Sequence, residues 1–374
     1  MFNRRMEPLR IGVAALAALF VVSGCRAGGY TPQAGSAPLS AENRPANDAG
    51  TSVLKQLKKQ IVIGSVVDPV NGAQNPYGLS IAPSTAGDFT KGDLVICGFN
   101  GKSNVQGTGQ SIVALHPVPK SKPVHVSSIK SLRGCDAVSL DLDDTIWAAS
   151  MVANDNPVID STGKLIDNIK GKPFNQPWGQ ILAKQKGGSA FYATNAGTGT
   201  VVRINLGSKF TYDVIATGFP VNHGKPGTAL APSGLAYDAK IDTLYFADGM
   251  NNTVVAFKNV SNIPNHGIKA GGDGMKFSGP SAADARILFS GKPLNGPLST
   301  ALLPNGNLVV GNTLDPDGTN LLIEISAGGK LLDVRNVDKG PAGALFGIIA
   351  AGTGADTKLY FNDDNDNNVQ VLER

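Results

Sequence analysis

Between residues 231 and 258 the chain reads A-P-S-G-L-A-Y-D-A-K-I-D-T-L-Y-F-A-D-G-M-N-N-T-V-V-A-F-K. Three apolar runs, at 234–237, 243–247 and 253–257, are separated by turn residues, and their aliphatic and aromatic side chains suit a pleated, half-buried surface. The pattern predicts a three-stranded meander. A meander of this size cannot bury both faces, so it needs neighbours of its own kind.

The sequence supplies them. A small or polar residue, then Pro-x-Gly and an apolar stretch, recurs as N-P-Y-G-L-S-I-A at 75–82 and Q-P-W-G-Q-I-L-A at 176–183, and more loosely as N-G-P-L-S-T-A-L-L at 295–303 and G-A-L-F-G-I-I-A at 343–350. The second run recurs as F-Y-A-T-N, L-Y-F-A-D, L-V-V-G-N and L-Y-F-N-D, each ending in Asn or Asp, and the third as T-V-V-R-I, T-V-V-A-F, L-L-I-E-I and N-V-Q-V-L. Further copies start near Asp93 and Thr145, making six units of about fifty residues, a period found in propeller arrays. The last unit stops at Arg374 after its third strand, whereas K-Q-I-V-I-G-S-V-V-D-P at 59–69 stands alone ahead of the first. The expected fold is therefore an all-β, six-bladed β-propeller over 59–374, closed by the 59–69 strand pairing with the last blade, which leaves no open seam.

The Pro-x-Gly-Leu start, the L-Y-F-A-D step and the G-M-N-N-T-V-V-A-F continuation resemble the NHL-repeat and related six-bladed propellers, the broad group that includes gluconolactonase and regucalcin proteins. The resemblance covers roughly 59–374 and speaks for architecture. Thr253 stands where the NHL pattern carries a basic residue, so the nucleic-acid or protein-binding surface of some members is not implied.

Ahead of the array, Arg4, Arg5 and Arg10 precede an apolar stretch at 11–22 that is too short to span a membrane, and small residues follow. Residues 1–25 thus read as a secretory signal, and Val-Ser-Gly-Cys at 22–25 resembles the bacterial lipobox, in which Cys25 takes the lipid. The alternative is a plain secretory leader cut near Ala27. Arg26 after the cysteine favours the outer membrane where the cell has one. Residues 26–58 are rich in Ala, Gly, Pro, Ser and Asn and read as a flexible tether, with a short helical turn over 53–59. The expected location is the cell envelope, membrane-anchored through Cys25.

With 46 Gly, 23 Pro and 17% charged residues the chain is turn-rich without being disordered. Its net charge of +4 falls to +2 once the leader, with three Arg and one Glu, is removed. A near-neutral monomer without a Lys/Arg cluster is not expected to bind nucleic acid. Cys97 and Cys135 are possible neighbours in an oxidising compartment, either bonded or as buried free thiols.

In a four-stranded blade the loop into the inner strand and the loop between the second and third strands open on one face. The repeat places Tyr77, Asp136, Trp178, Ser233 and Phe346 at inner-strand starts and Asn195, Asp248, Asn312 and Asp363 at second-strand ends. Loops converge at such a channel mouth, and this mixture suits a polar or sugar-like ligand or a cation. The competing reading makes the Asn and Asp side chains turn caps and wedges Tyr77 and Trp178 between blades. Resemblance to the gluconolactonase group implies a further possibility, a Ca-dependent lactonase whose cation polarises a carbonyl and activates water. Asn195, Asp248 and Asn312 match three of its ligands; its Glu-Gly-Pro motif is absent, and Ser233 replaces an Asn. N-D-D-N-D-N-N at 362–368 lacks the Gly and Glu of a calcium loop and reads as a solvated turn, and no catalytic triad motif occurs. Two functions stay open: a ligand- or protein-binding or scaffolding module, and the lactonase-like hydrolase.

Overall fold

In the computed structural model, which describes residues 50–185 and 187–374, six sheets, antiparallel apart from one added strand, ring a central axis. Cys25 and most of the tether lie outside the described residues. The inner strands of blades 1 to 6 are Gln74–Ile81, Cys135–Leu140, Pro177–Gln185, Pro232–Asp238, Pro297–Leu302 and Ile348–Ala351, and each touches the next around the circle, the last meeting the first. Lys59–Ser65 pairs antiparallel with Asn368–Glu373, from Lys59 opposite Glu373 to Ser65 opposite Asn368, as the outermost strand of blade 6. The expected closure holds.

The Pro-x-Gly motif acquires a structural reason. The ladder between inner and second strands slips its register at Pro76/Leu79, Pro177/Gln180 and Pro232/Leu235, a bulge at the motif in each case. Proline suits a bulge because it has no N–H to leave unpaired. Glycine follows because the next blade's backbone presses against it: a Cβ on Gly78 would stand 2.7 Å from the Val138 nitrogen, and one on Gly234 would stand 2.6 Å from the Leu298 carbonyl oxygen.

Two features depart from the even cadence of the repeats. Blade 4 inserts 258–284 between its third strand, Thr253–Phe257, and its outer strand, Ala285–Ser290. Within that insertion Ile268–Ala270 adds in parallel to Thr211–Thr217, the outer strand of blade 3, and Phe277–Ser278 extends the sheet to six strands. Ile268, Ala270 and Phe277 pack into the cluster of Phe219, Phe246 and Phe257, so the insertion covers an edge that would otherwise be open. The end of the stretch read as tether is also part of the packed domain. Val53, Leu54 and Leu57 are buried, and the buried Glu324 carboxylate of blade 5 accepts from the Val53 and Leu54 N–H groups, the Ser52 hydroxyl and the Asn307 amide.

Candidate functional site

Inner strands begin on what is here called the top face and end on the bottom face, and matching residues of the six strands form layers down the axis. The top layer is an apolar plug. Tyr77, Trp178, Leu298 and Phe346 cluster there with Phe99 and Met151. The Tyr77 ring stacks between Phe99 and Phe346, with centroids 3.9 and 3.5 Å away. Its hydroxyl donates to Gln106, and burial, with Asp364 and Asp136 nearby, pushes it well above the usual tyrosine range. Phe99 lies inside the second strand of blade 1, Leu94–Asn100, one residue before its end, and the repeat flags no candidate there.

A strap crosses above the plug. The connection between blades 3 and 4 brings Ala229 and Ala231 into the same cluster, and its Pro226 and Gly227 reach Gly107 and Gln106 of blade 1. A Cβ on Gly107 would stand 2.9 Å from the Pro226 ring. Of the two arrangements the repeat allows for Tyr77 and Trp178, the mouth has the packed one, with stacked rings under a loop.

The polar residues flagged at second-strand ends each bond within their own blade. Asn195 accepts from the Asn175 N–H at 3.3 Å and donates to the Pro173 carbonyl, and Asn312 accepts from the Asn295 N–H at 3.0 Å and donates to the Pro293 carbonyl. The two amides clamp equivalent loops, K-P-F-N and K-P-L-N. Asp248 accepts from the Met250 N–H and the Asn251 amide, and Asp363 from the Asp366 N–H and the Gln370 amide. The Ser233 hydroxyl donates to the Ala247 carbonyl. Asn195, Asp248 and Asn312, the three residues that match lactonase ligands, are thus each hydrogen-bonded to a neighbouring loop. Among the described residues no group of three or more His, Cys, Asp or Glu side chains is placed to hold a metal ion. The 362–368 turn is not fully solvated: burial and Asp363 push the Asp364 carboxyl up to about 8.

Asp136 is different. It is buried, its Oδ2 accepts from the Met151 N–H, its Oδ1 has no partner, and burial pushes the carboxyl well above the usual carboxylate range. It faces a cavity of about 60 Å³ beneath the plug. A second cavity of about 250 Å³ lies toward the bottom face. Leu79, Val138, Gln180, Leu235, Thr300 and Ile348, one from each blade, line both. In this ring the amide oxygen and nitrogen of Gln180 and the Thr300 hydroxyl are buried without a hydrogen-bond partner. An unpaired buried polar group costs about 1–3 kcal/mol, so these three atoms carry a cost that no protein group among the described residues offsets. The pattern of repeats put neither residue on the candidate site, because both sit inside a strand instead of in a loop.

A disulfide joins Cys97, in the second strand of blade 1, to Cys135 at the start of the inner strand of blade 2, with Cα atoms 5.5 Å apart. It staples neighbouring blades beside the plug.

No family model matches this chain, and no curated protein sequence does. Solved structures do. A gluconolactonase from Xanthomonas campestris superposes with a TM-score of 0.55 at 14% identity, over 80% of this chain and 86% of that one. A chain of a nidogen/laminin complex gives 0.51 at 15%, over 74% and 85%, and virginiamycin B lyase from Staphylococcus aureus gives 0.50 at 15%, over 84% and 98%. The likeness is one of fold. A lyase, a gluconolactonase and a chain of a nidogen/laminin complex share this frame, so activity has to be argued from the site.

Proposed function

We propose that this chain is an exported, lipid-anchored β-propeller that serves as a binding or scaffolding module at the cell envelope. The observation that carries the reading is the state of the top mouth. Its rings fill the channel under the strap, and Asn195, Asp248, Asn312 and Asp363 are engaged in holding nearby loops. A hydrolase of the lactonase kind needs those oxygens turned inward around a cation; a module that presents a surface does not. The tether supports the same arrangement. Residues 52–57 dock beside Asn307 and Glu324, at the bottom-face ends of blade 5 strands, which puts the start of the folded domain on the face opposite the top mouth. The partner that suits such a face is an envelope protein or a small polar ligand.

The lactonase alternative draws on the likeness to the X. campestris fold, and one set of measurements separates the two. The full chain expressed in a bacterium is expected to take up a fatty-acid label and sediment with membranes, and C25S to lose both. Calcium is expected to leave the melting temperature of the purified chain unchanged. A calcium-dependent rise that disappears in D248A, with turnover of a sugar lactone, would restore the hydrolase reading.

A further inference from the structure

We infer that the lower channel is a binding site for a small neutral molecule with an apolar body and a carboxamide or lactam end, read by Gln180 and Thr300. The inference goes beyond the envelope-module reading and stands whether or not Cys25 is lipidated.

The shape comes first. The bottom-face cavity measures about 250 Å³, just below the ~300 Å³ at which ordinary ligand pockets begin, so the guest is smaller than a drug-sized molecule. Its wall is mainly aliphatic, with Leu79, Val138, Leu235 and Ile348 among its residues, and also carries Ser80, Ser139, bonded to the Leu182 N–H, and Tyr237, bonded to Asp242. Apolar volume of this kind accepts a hydrocarbon body and gives no reason to prefer one over another.

Specificity has to come from the polar atoms. Gln180 is 6% exposed and Thr300 is 6% exposed, and neither the amide pair nor the hydroxyl has a partner. A side-chain amide with oxygen and nitrogen both unpaired presents an acceptor beside a donor. Its complement is a group with a donor beside an acceptor, which is the edge of a primary carboxamide or a lactam. The Thr300 hydroxyl adds one donor or acceptor from two blades away. Water could occupy these atoms one at a time; a cis-amide edge meets the Gln180 pair together and needs no ordered solvent.

Charge narrows the class further. Among the described residues no Lys, Arg or His lines either cavity, so an anion would lose its water without a counter-charge. Among the same residues the lower cavity has no carboxylate in its wall, so a cation fares no better there. Asp136 faces only the upper, 60 Å³ space, too small for more than a bare ion or a few waters.

The test uses the full-length chain carrying C25S, purified without detergent so that nothing apolar fills the channel. Hexanamide, hexanol, hexanoate and hexylammonium are titrated by calorimetry, with potassium chloride as a separate arm. Hexanamide is expected to bind at least about tenfold more tightly than the other three. Q180L, which puts an aliphatic side chain in the ring and keeps the fold, is expected to erase that preference, and T300V to reduce it with the melting temperature retained. Equal binding of hexanamide and hexanol, absence of hexanamide binding to the folded chain, or an unchanged preference in Q180L would overturn the assignment. Tighter binding of hexylammonium, or stabilisation by potassium, would also overturn it and point to a cation held by Asp136.

Discussion

Gly78, Gly179, Gly234 and Gly347 occupy one layer of the ring, and in each the missing Cβ is space taken by backbone of the adjoining blade. None is a turn glycine. Their shared role is close approach, and backbone cannot swing aside as a flexible side chain can. Gly234→Ala is therefore expected to lower unfolding free energy by about 1–3 kcal/mol in a denaturant titration. Gly272, with nothing within 4 Å of its Cβ direction, should tolerate Ala within about 0.5 kcal/mol. An equal effect at both positions would mean that blade contact is not the reason for the motif. The acidic turn of blade 6 gives a second residue-scale test. Burial with Asp363 nearby raises Asp364 to about 8, and burial with Asp338 nearby raises Asp363 to about 6. Unfolded, such groups lose their protons near 3.8. The folded chain then holds more protons than the unfolded one between about pH 4 and pH 8, so stability falls as pH rises through that window. The melting temperature should be higher at pH 5 than at pH 8.5, and D364N should flatten the slope between pH 6 and 8.

At the scale of elements, the turn Leu54–Gln56 shows how a segment with tether-like composition upstream becomes fixed. Three donors from 52–54 and the Asn307 amide converge on the Glu324 carboxylate, and the Arg335 guanidinium donates to the Leu57 carbonyl. Glu324→Ala would leave several buried donors unpaired. A loss of about 3 kcal/mol or more is expected by urea titration, with proteolysis near residue 55 as the first cleavage. Retention of wild-type stability would show that Leu54 and Leu57 alone hold the segment. The strands were legible in advance at 232–257 because apolar runs and turn residues alternate cleanly there. The extension of blade 3 by 268–278 was not. Three- and two-residue strands carry too little pattern, and their pairing depends on which edge the insertion of blade 4 happens to reach.

For the whole molecule, closure decides stability. Among the described residues Lys59–Ser65 is the strand that joins the two ends of the array, pairing Ile61 with Val371 and Ser65 with Asn368. A chain beginning at residue 66 would expose the edge of Asn368–Glu373 and lose Ile63 from its core cluster. It is expected to aggregate, or to melt far below the 50–374 chain without a single cooperative transition. A truncated chain that melts like the longer one would show that closure is dispensable. The candidate site belongs to the same scale. The positions of Tyr77, Trp178 and Phe346 around the channel mouth could be read from the repeat, since period alone puts equivalent residues in one layer. Whether they stood open or stacked could not, because that depends on Phe99 and on a strap from the other side of the ring.

By itself the sequence determined the number of blades, the meander of strands at 232–257 and the seam, because alternation, turn chemistry and a fixed repeat are local signals that add up along the chain. Only the tertiary structure decided which polar groups are satisfied. Asn195 and Asn312 became clamps when their loops folded back onto them. Gln180 and Thr300 became unpaired when six inner strands met around an aliphatic ring. Hydrogen-bond partners are chosen by proximity in space, and proximity across a closed ring is not written at any one position of the chain.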